Sequence, residues 1–125
     1  MTDKLLTLDK LPALPDAPTE LVDVPEWGGS VRIRVLTGAR REAMRARCVS
    51  AAGDFDRDLW ERLLLVECIA EPALDEAQVD ALMARTSGMT IHALLDRINQ
   101  FCALTSDGAI SKAGVDAAER SFRQE

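Results

Sequence analysis

A chain of 125 residues with 47% hydrophobic and 29% charged positions is ordinary globular material, long enough for one domain with a buried core and too apolar for global disorder. A formal net charge of -6 argues against nucleic acid or an anionic membrane as partner of the whole surface. Aromatic residues make up 4% and tyrosine is absent, so the core must come from Leu, Val, Ile, Met and Ala, a palette that suits packed helices better than a β-sandwich.

The first twenty residues mix Leu5, Leu6, Leu8, Leu11 and Leu14 with Pro12, Pro15 and Pro18. Thr7 is placed to cap one helical turn over Leu8 to Lys10, Pro12 limits that turn, and residues 15–18 read as an extended linker. Residues 1–20 are therefore expected to form an arm, ordered least or ordered by docking its leucines on a partner, ahead of a single domain over 21–125.

Leu21 to Val24 and Val31 to Val35 are the best strand candidates. The second alternates with period two, setting Val31, Ile33 and Val35 on one face and Arg32 and Arg34 on the other. Pro25-Glu26-Trp27-Gly28-Gly29-Ser30 between them is a run of turn formers. A β-hairpin over 21–36 follows, with Trp27 near its tip. A lone hairpin is marginal in water, so its apolar face must lie on helices.

Residues 37–125 read as a helical bundle. Thr37 is a candidate N-cap for a helix to about Ala51, ended by Gly53. Asp54 opens a helix to about Ala70, stopped at Glu71-Pro72. Leu59, Leu63, Val66 and Ala70 make one stripe on it, Trp60, Leu64 and Cys68 the next, and Leu65 and Ile69 lie beyond, which marks a central helix. Asp58 and Arg62 stand at i,i+4 in the favourable order. Asp75 caps a third helix carrying Val79, Leu82 and Met83. Ser87 or Thr90 starts a fourth, with Ile91, Leu94, Leu95, Ile98, Phe101 and Cys102 at amphipathic spacing and His92 and Asp96 together on its flank. Ser111 caps a short last helix with Val115, Ala118 and Phe122 as its stripe, weakened at Gly114 by about 1 kcal/mol relative to Ala. The expected fold class is mainly α, four to five short helices with a small N-terminal β-hairpin, α+β by strict count.

Residue chemistry points away from an enzyme. His92 is the only imidazole, and no Cys or Ser lies at i±3 or i±4 from it. Cys48, Cys68 and Cys102 form no CxxC pair, and an odd count of isolated cysteines reads as reduced thiols in a cytosolic protein without a zinc site. Asp54-Asp56-Asp58 lacks the later glycine and closing glutamate of a calcium loop, and Gly28-Gly29 lacks the lysine and helix start of a phosphate cradle. No catalytic, metal or cofactor residue is expected. Neither a charged-then-apolar leader nor an apolar run near the ~20 residues of a membrane span is present, so no membrane association and a cytoplasmic location are expected.

What remains is surface. Residues 31–50 carry Arg32, Arg34, Arg40, Arg41, Arg45 and Arg47 against Glu42 alone, so this stretch is +5 and the rest of the chain -11. It reads either as a solvated face balancing acidic helices or as a docking surface for an acidic partner. Trp27 reads either as a core plug folded back on the helices or as an exposed aromatic anchor. The candidate partner-binding residues are Leu5, Leu8, Leu11, Trp27, Arg32, Arg34, Arg41, Arg45, Val115 and Phe122.

One stretch resembles a known family. Val22-Asp23-Val24-Pro25-Glu26-Trp27-Gly28-Gly29-Ser30-Val31-Arg32-Ile33-Arg34-Val35-Leu36-Thr37-Gly38-Ala39-Arg40-Arg41-Glu42 closely resembles a pattern in tail assembly chaperones of long-tailed bacteriophages and their prophage relatives. More loosely, the leucine-rich leader, the helix through Leu59 to Ala70, the acidic start at Asp75, the helix over Ile91 to Leu104 and the closing Ala118-Glu119-Arg120-Ser121-Phe122 fall in the family's order. Two positions depart from it: Arg40 stands where the family usually has an acid, and Met44 where it often has an aromatic.

The resemblance implies a non-enzymatic role in the bacterial cytoplasm. Such a chaperone coats the tape measure protein, a long, largely helical and apolar ruler, keeps it soluble while tail tube subunits polymerise around it, and is absent from the virion. Tail tube subunits and further copies of the chain are the additional partners this implies. A structural tail or head–tail joining protein incorporated in the virion is the alternative. A regulator using the arginine cluster on nucleic acid is a third reading, disfavoured by the acidic total.

Overall fold

The structure, a computed structural model, describes residue 5, residues 7–9 and residues 18–122. It is mainly helical, with a small antiparallel sheet near the N-terminus. Strands β1 (Thr19–Val24) and β2 (Gly29–Arg34) pair with Val22 opposite Val31 and Val24 opposite Gly29, and a third strand, β3 (Ile69–Glu71), runs antiparallel along the other side of β2. The alternation in β2 is realised as expected: Val31 and Ile33 are buried, while Arg32 is half-buried and Arg34 exposed.

The helices are α1 (Gly38–Cys48), α2 (Arg57–Cys68), α3 (Glu76–Arg85), α4 (Gly88–Cys102) and α5 (Lys112–Phe122). Side chains of Thr37, Asp56, Asp75 and Ser87 cap the first four by accepting from a backbone N–H in the first turn, and Gln78 completes a capping box with Asp75. Ser111 Oγ accepts from Gly114 N at 3.0 Å at the start of α5. Helix α2 is central: Trp60, Leu63, Leu64, Leu65 and Cys68 are all buried. Ile91, Leu94, Leu95 and Ile98 of α4, Met44 and Cys48 of α1, Val79 of α3 and Val24, Val31, Ile33 and Ile69 of the sheet join them in one core cluster.

Five sequence expectations are corrected. The second helix ends at Cys68, not near Ala70, because the backbone of Ile69 to Glu71 turns extended to pair with Arg32 and Ile33. The first helix ends at Cys48 rather than near Ala51. Val49 forms an antiparallel bridge with Phe55, and the intervening turn brings Asp56 N to Cys48 O at 2.7 Å. That turn moves the next N-cap from Asp54 to Asp56, leaving Phe55 free to pack its ring 5.9 Å from Trp60. Arg62 bonds Asp80 of α3 at 3.0 Å instead of Asp58, and the i,i+4 pair on α2 is Arg57–Glu61. The hairpin also starts earlier, at Thr19, which already pairs with Arg34.

Two glycines are dictated by geometry. Gly108 has φ +83, and a Cβ there would lie 2.6 Å from the Trp60 ring. Gly114 in α5 lets that helix approach the left-handed C-cap of α4 so closely that a Cβ would lie 2.5 Å from the Ala103 methyl. The helix-weakening residue is thus the one that permits docking.

Candidate functional site

The hairpin tip is a docking element directed inward. Pro25–Trp27 forms a 3-10 turn closed by Gly28 at φ 76. From it the half-buried Trp27 packs on the core cluster and donates from Nε1 to Thr86 Oγ1 at 2.8 Å. Beside it, the Glu26 carboxylate accepts from Ser87 N at 2.8 Å, Ser87 Oγ at 2.6 Å and Thr90 Oγ1 at 2.7 Å. Glu26 therefore sits at the N-terminus of α4, where free N–H groups and the helix dipole favour an anion. The Ser87 hydroxyl, then the Ser87 N–H and Thr90, hold its carboxyl below the usual range. Of the two readings of Trp27, this geometry is that of the core plug.

The arginines divide between two surroundings. Arg32 Nε bonds Glu71 at 2.9 Å, Arg34 Nε bonds the Glu67 carbonyl at 2.6 Å, and Arg40 pairs with the Glu67 carboxylate. These groups line a cleft of about 600 Å³ between β2, the start of α1 and the end of α2, together with Thr19, Leu36 and Ala70. On the far part of α1, Arg41 Nε reaches Gly108 O at 2.8 Å and Arg45 Nη1 reaches Asp107 O at 2.9 Å, so both hold the turn after α4. Arg45 also lies over the Phe55 ring, 5.6 Å from its centroid. Arg47 makes two bonds to Glu76, which keep that carboxyl below its usual range. The +5 stretch is thus spread over acids and carbonyls from distant parts of the chain.

The apolar candidates lie on the terminal elements. Leu5 and Leu8 are exposed at 84% and 85%, and Leu11 lies outside the described residues. Helix α5 contributes no buried residue, and its stripe shows Val115 at 41% and Phe122 at 78% exposure. Sequence reading missed Leu21 on β1 and Met89 at the start of α4, both largely exposed. It also missed a groove of about 260 Å³ between β1 and α4, lined by Val22, Val24, Ala93 and Leu94 with Arg97 at its edge. Leu21 occupies the solvent side of an alternating strand, a signal the pattern carried. Met89 offered none, since its position before Ile91 fits either face.

His92 is exposed on α4. Among the described residues no group of three His, Cys, Asp or Glu side chains is arranged to hold a metal ion, and no helix is long and apolar enough to cross a membrane. No family model, curated protein or solved structure matches the chain.

Proposed function

We propose that this chain is a tail assembly chaperone of a long-tailed phage or prophage, a non-enzymatic protein that holds the tape measure protein soluble in the host cytoplasm during tail morphogenesis. The resemblance of residues 22–42 supplies the family. The observation that carries the holding role is α5, an amphipathic helix with no buried residue and with Val115 and Phe122 presented to solvent. Leu5 and Leu8 add apolar surface at the other end of the chain. A long amphipathic partner helix needs such a stripe, with contacts weak enough for release.

The test is co-expression of the tape measure protein of the same genome with and without this chain, followed by its partition between soluble and pelleted fractions. The expected result is a soluble tape measure protein only when the chain is present, with the gain lost in Val115→Asp/Phe122→Asp, whose substitutions leave the buried cluster untouched. A tape measure protein equally soluble alone would end this reading. Stoichiometric recovery of the chain from purified virions would instead establish the structural tail protein.

A further inference from the structure

The cleft of about 600 Å³ between β2, the start of α1 and the end of α2 is lined by the guanidiniums of Arg32, Arg34 and Arg40 and by the carboxylates of Glu67 and Glu71. One positive charge is therefore in excess there, within a chain whose formal total is -6. The excess sits on Arg34. Arg40 takes both carboxylate oxygens of Glu67, its Nε at 3.1 Å from one of them, and Arg32 Nε takes Glu71 at 2.9 Å. Arg34 Nε meets only the neutral Glu67 carbonyl, at 2.6 Å, the carboxylate of that residue being engaged by Arg40. Among the described residues Arg34 has no ion-pair partner, and its two Nη nitrogens have no acceptor.

The rest of the lining is rich in donors. Thr37 Oγ1 accepts from Arg40 N at 3.3 Å and Thr19 Oγ1 from Arg32 Nη1 at 3.4 Å, so each hydroxyl keeps its own proton to donate. Val35, Leu36 and Ala70, all half-buried, supply apolar surface to the same cleft. A guanidinium with both Nη groups open is a fork for the two oxygens of a carboxylate. A row of phosphates fits less well. It would meet one uncompensated cation and the exposed Glu71 carboxylate, and no aromatic ring lines the cleft for a base to stack on.

We propose that this cleft is a docking site for an extended acidic segment of another protein, one carboxylate of which closes on Arg34 in a two-point ion pair. Small apolar neighbours of that acid lie on Val35, Leu36 and Ala70, and backbone carbonyls of the segment accept from the Thr19 and Thr37 hydroxyls. Glu71 sets the strength of the site. Its side chain is 73% exposed and bonded to Arg32, so it neutralises a second arginine and repels the incoming carboxylate. No residue of α5 lines the cleft, and the proposal does not rest on the chaperone reading.

The test is isothermal titration calorimetry of the full chain with an acetylated, amidated hexapeptide alternating glutamate and valine, at low and high salt. The peptide is expected to bind, and to bind more weakly as salt rises. Arg34→Gln should weaken binding about tenfold, and Glu71→Gln should tighten it about threefold. A counterpart with glutamine in place of glutamate should give no heat. Equal binding of that counterpart, an unchanged affinity in Arg34→Gln, or no binding of the acidic peptide to the unsubstituted chain would each overturn the proposal. So would an oligothymidylate of equal charge that binds more tightly than the peptide, which would assign the cleft to phosphate. If Arg34→Gln does not fold, the largely exposed Glu71→Gln decides alone, and an affinity unchanged or lowered there ends the proposal.

Discussion

Trp27 and Thr86 are joined by a 2.8 Å hydrogen bond across 59 positions, so the hairpin tip and the break between α3 and α4 form one contact. Trp27→Ala removes this bond and the packing of a half-buried ring, and is expected to cost about 2–3 kcal/mol. Trp27→Phe keeps most of the ring and should cost about 1 kcal/mol. Urea denaturation of both variants measures the difference. Equal, negligible losses would mean that the tip does not hold the helices.

Glu26 makes this junction acid-sensitive. Its folded-state pKa lies below the ordinary value of 4.5, so its contribution is fully present above that value and is lost as pH falls through the lower, folded one. Thermal midpoints of the parent chain and Glu26→Gln are expected to differ at pH 7 and to converge as pH falls below the ordinary carboxylate range and the carboxyl protonates. A gap that stays constant over this range would assign the effect to something other than the carboxylate charge.

Gly28 and Gly108 share a left-handed backbone but not their surroundings. At Gly28 nothing lies within 4 Å of an added Cβ, whereas at Gly108 the Trp60 ring is 2.6 Å away. Gly28→Ala is expected to cost about 1 kcal/mol from the backbone alone. Gly108→Ala adds displacement of a buried indole and should cost about 3 kcal/mol or more. Two similar denaturation midpoints would refute the packing argument.

At Gly114 helix propensity and packing oppose each other. Propensity alone makes Gly114→Ala stabilising by about 1 kcal/mol. The 2.5 Å approach to the Ala103 methyl reverses the sign, since neither the short side chain nor the backbone behind it has slack. A net loss of about 1 kcal/mol is expected, with faster hydrogen exchange in α5. Slower exchange there would show that α5 can shift without penalty.

These cases also mark what was legible in the sequence. Thr37, Asp75, Ser87 and Ser111 announced helix starts because a cap is local, a side chain answering an N–H two or three residues on. The central place of α2 followed from its wide apolar girth. Strand β3 was hidden because Ile69 and Ala70 continue that helical stripe, and only pairing with β2, some 37 residues earlier, pulls them out of it. The arginines of residues 31–50 were legible as a charge excess but not as contacts. Their acids and carbonyls at Glu67, Glu71, Glu76, Asp107 and Gly108 come from other elements, and no spacing rule links them. Trp27 was recognised as important while its direction stayed open, because a hairpin turn constrains the backbone and leaves the ring's destination to the tertiary fold.

The two indoles make the molecule its own spectrometer. Trp60 is wholly enclosed and its Nε1 has no hydrogen-bond partner among the described residues, while Trp27 is half-wet and bonded to a hydroxyl. Trp60 should emit at the blue end of the indole range and Trp27 further to the red. A partner that lifts the hairpin tip would shift only the red component, and loss of the core would move both, so a single emission spectrum separates docking from unfolding without any added label.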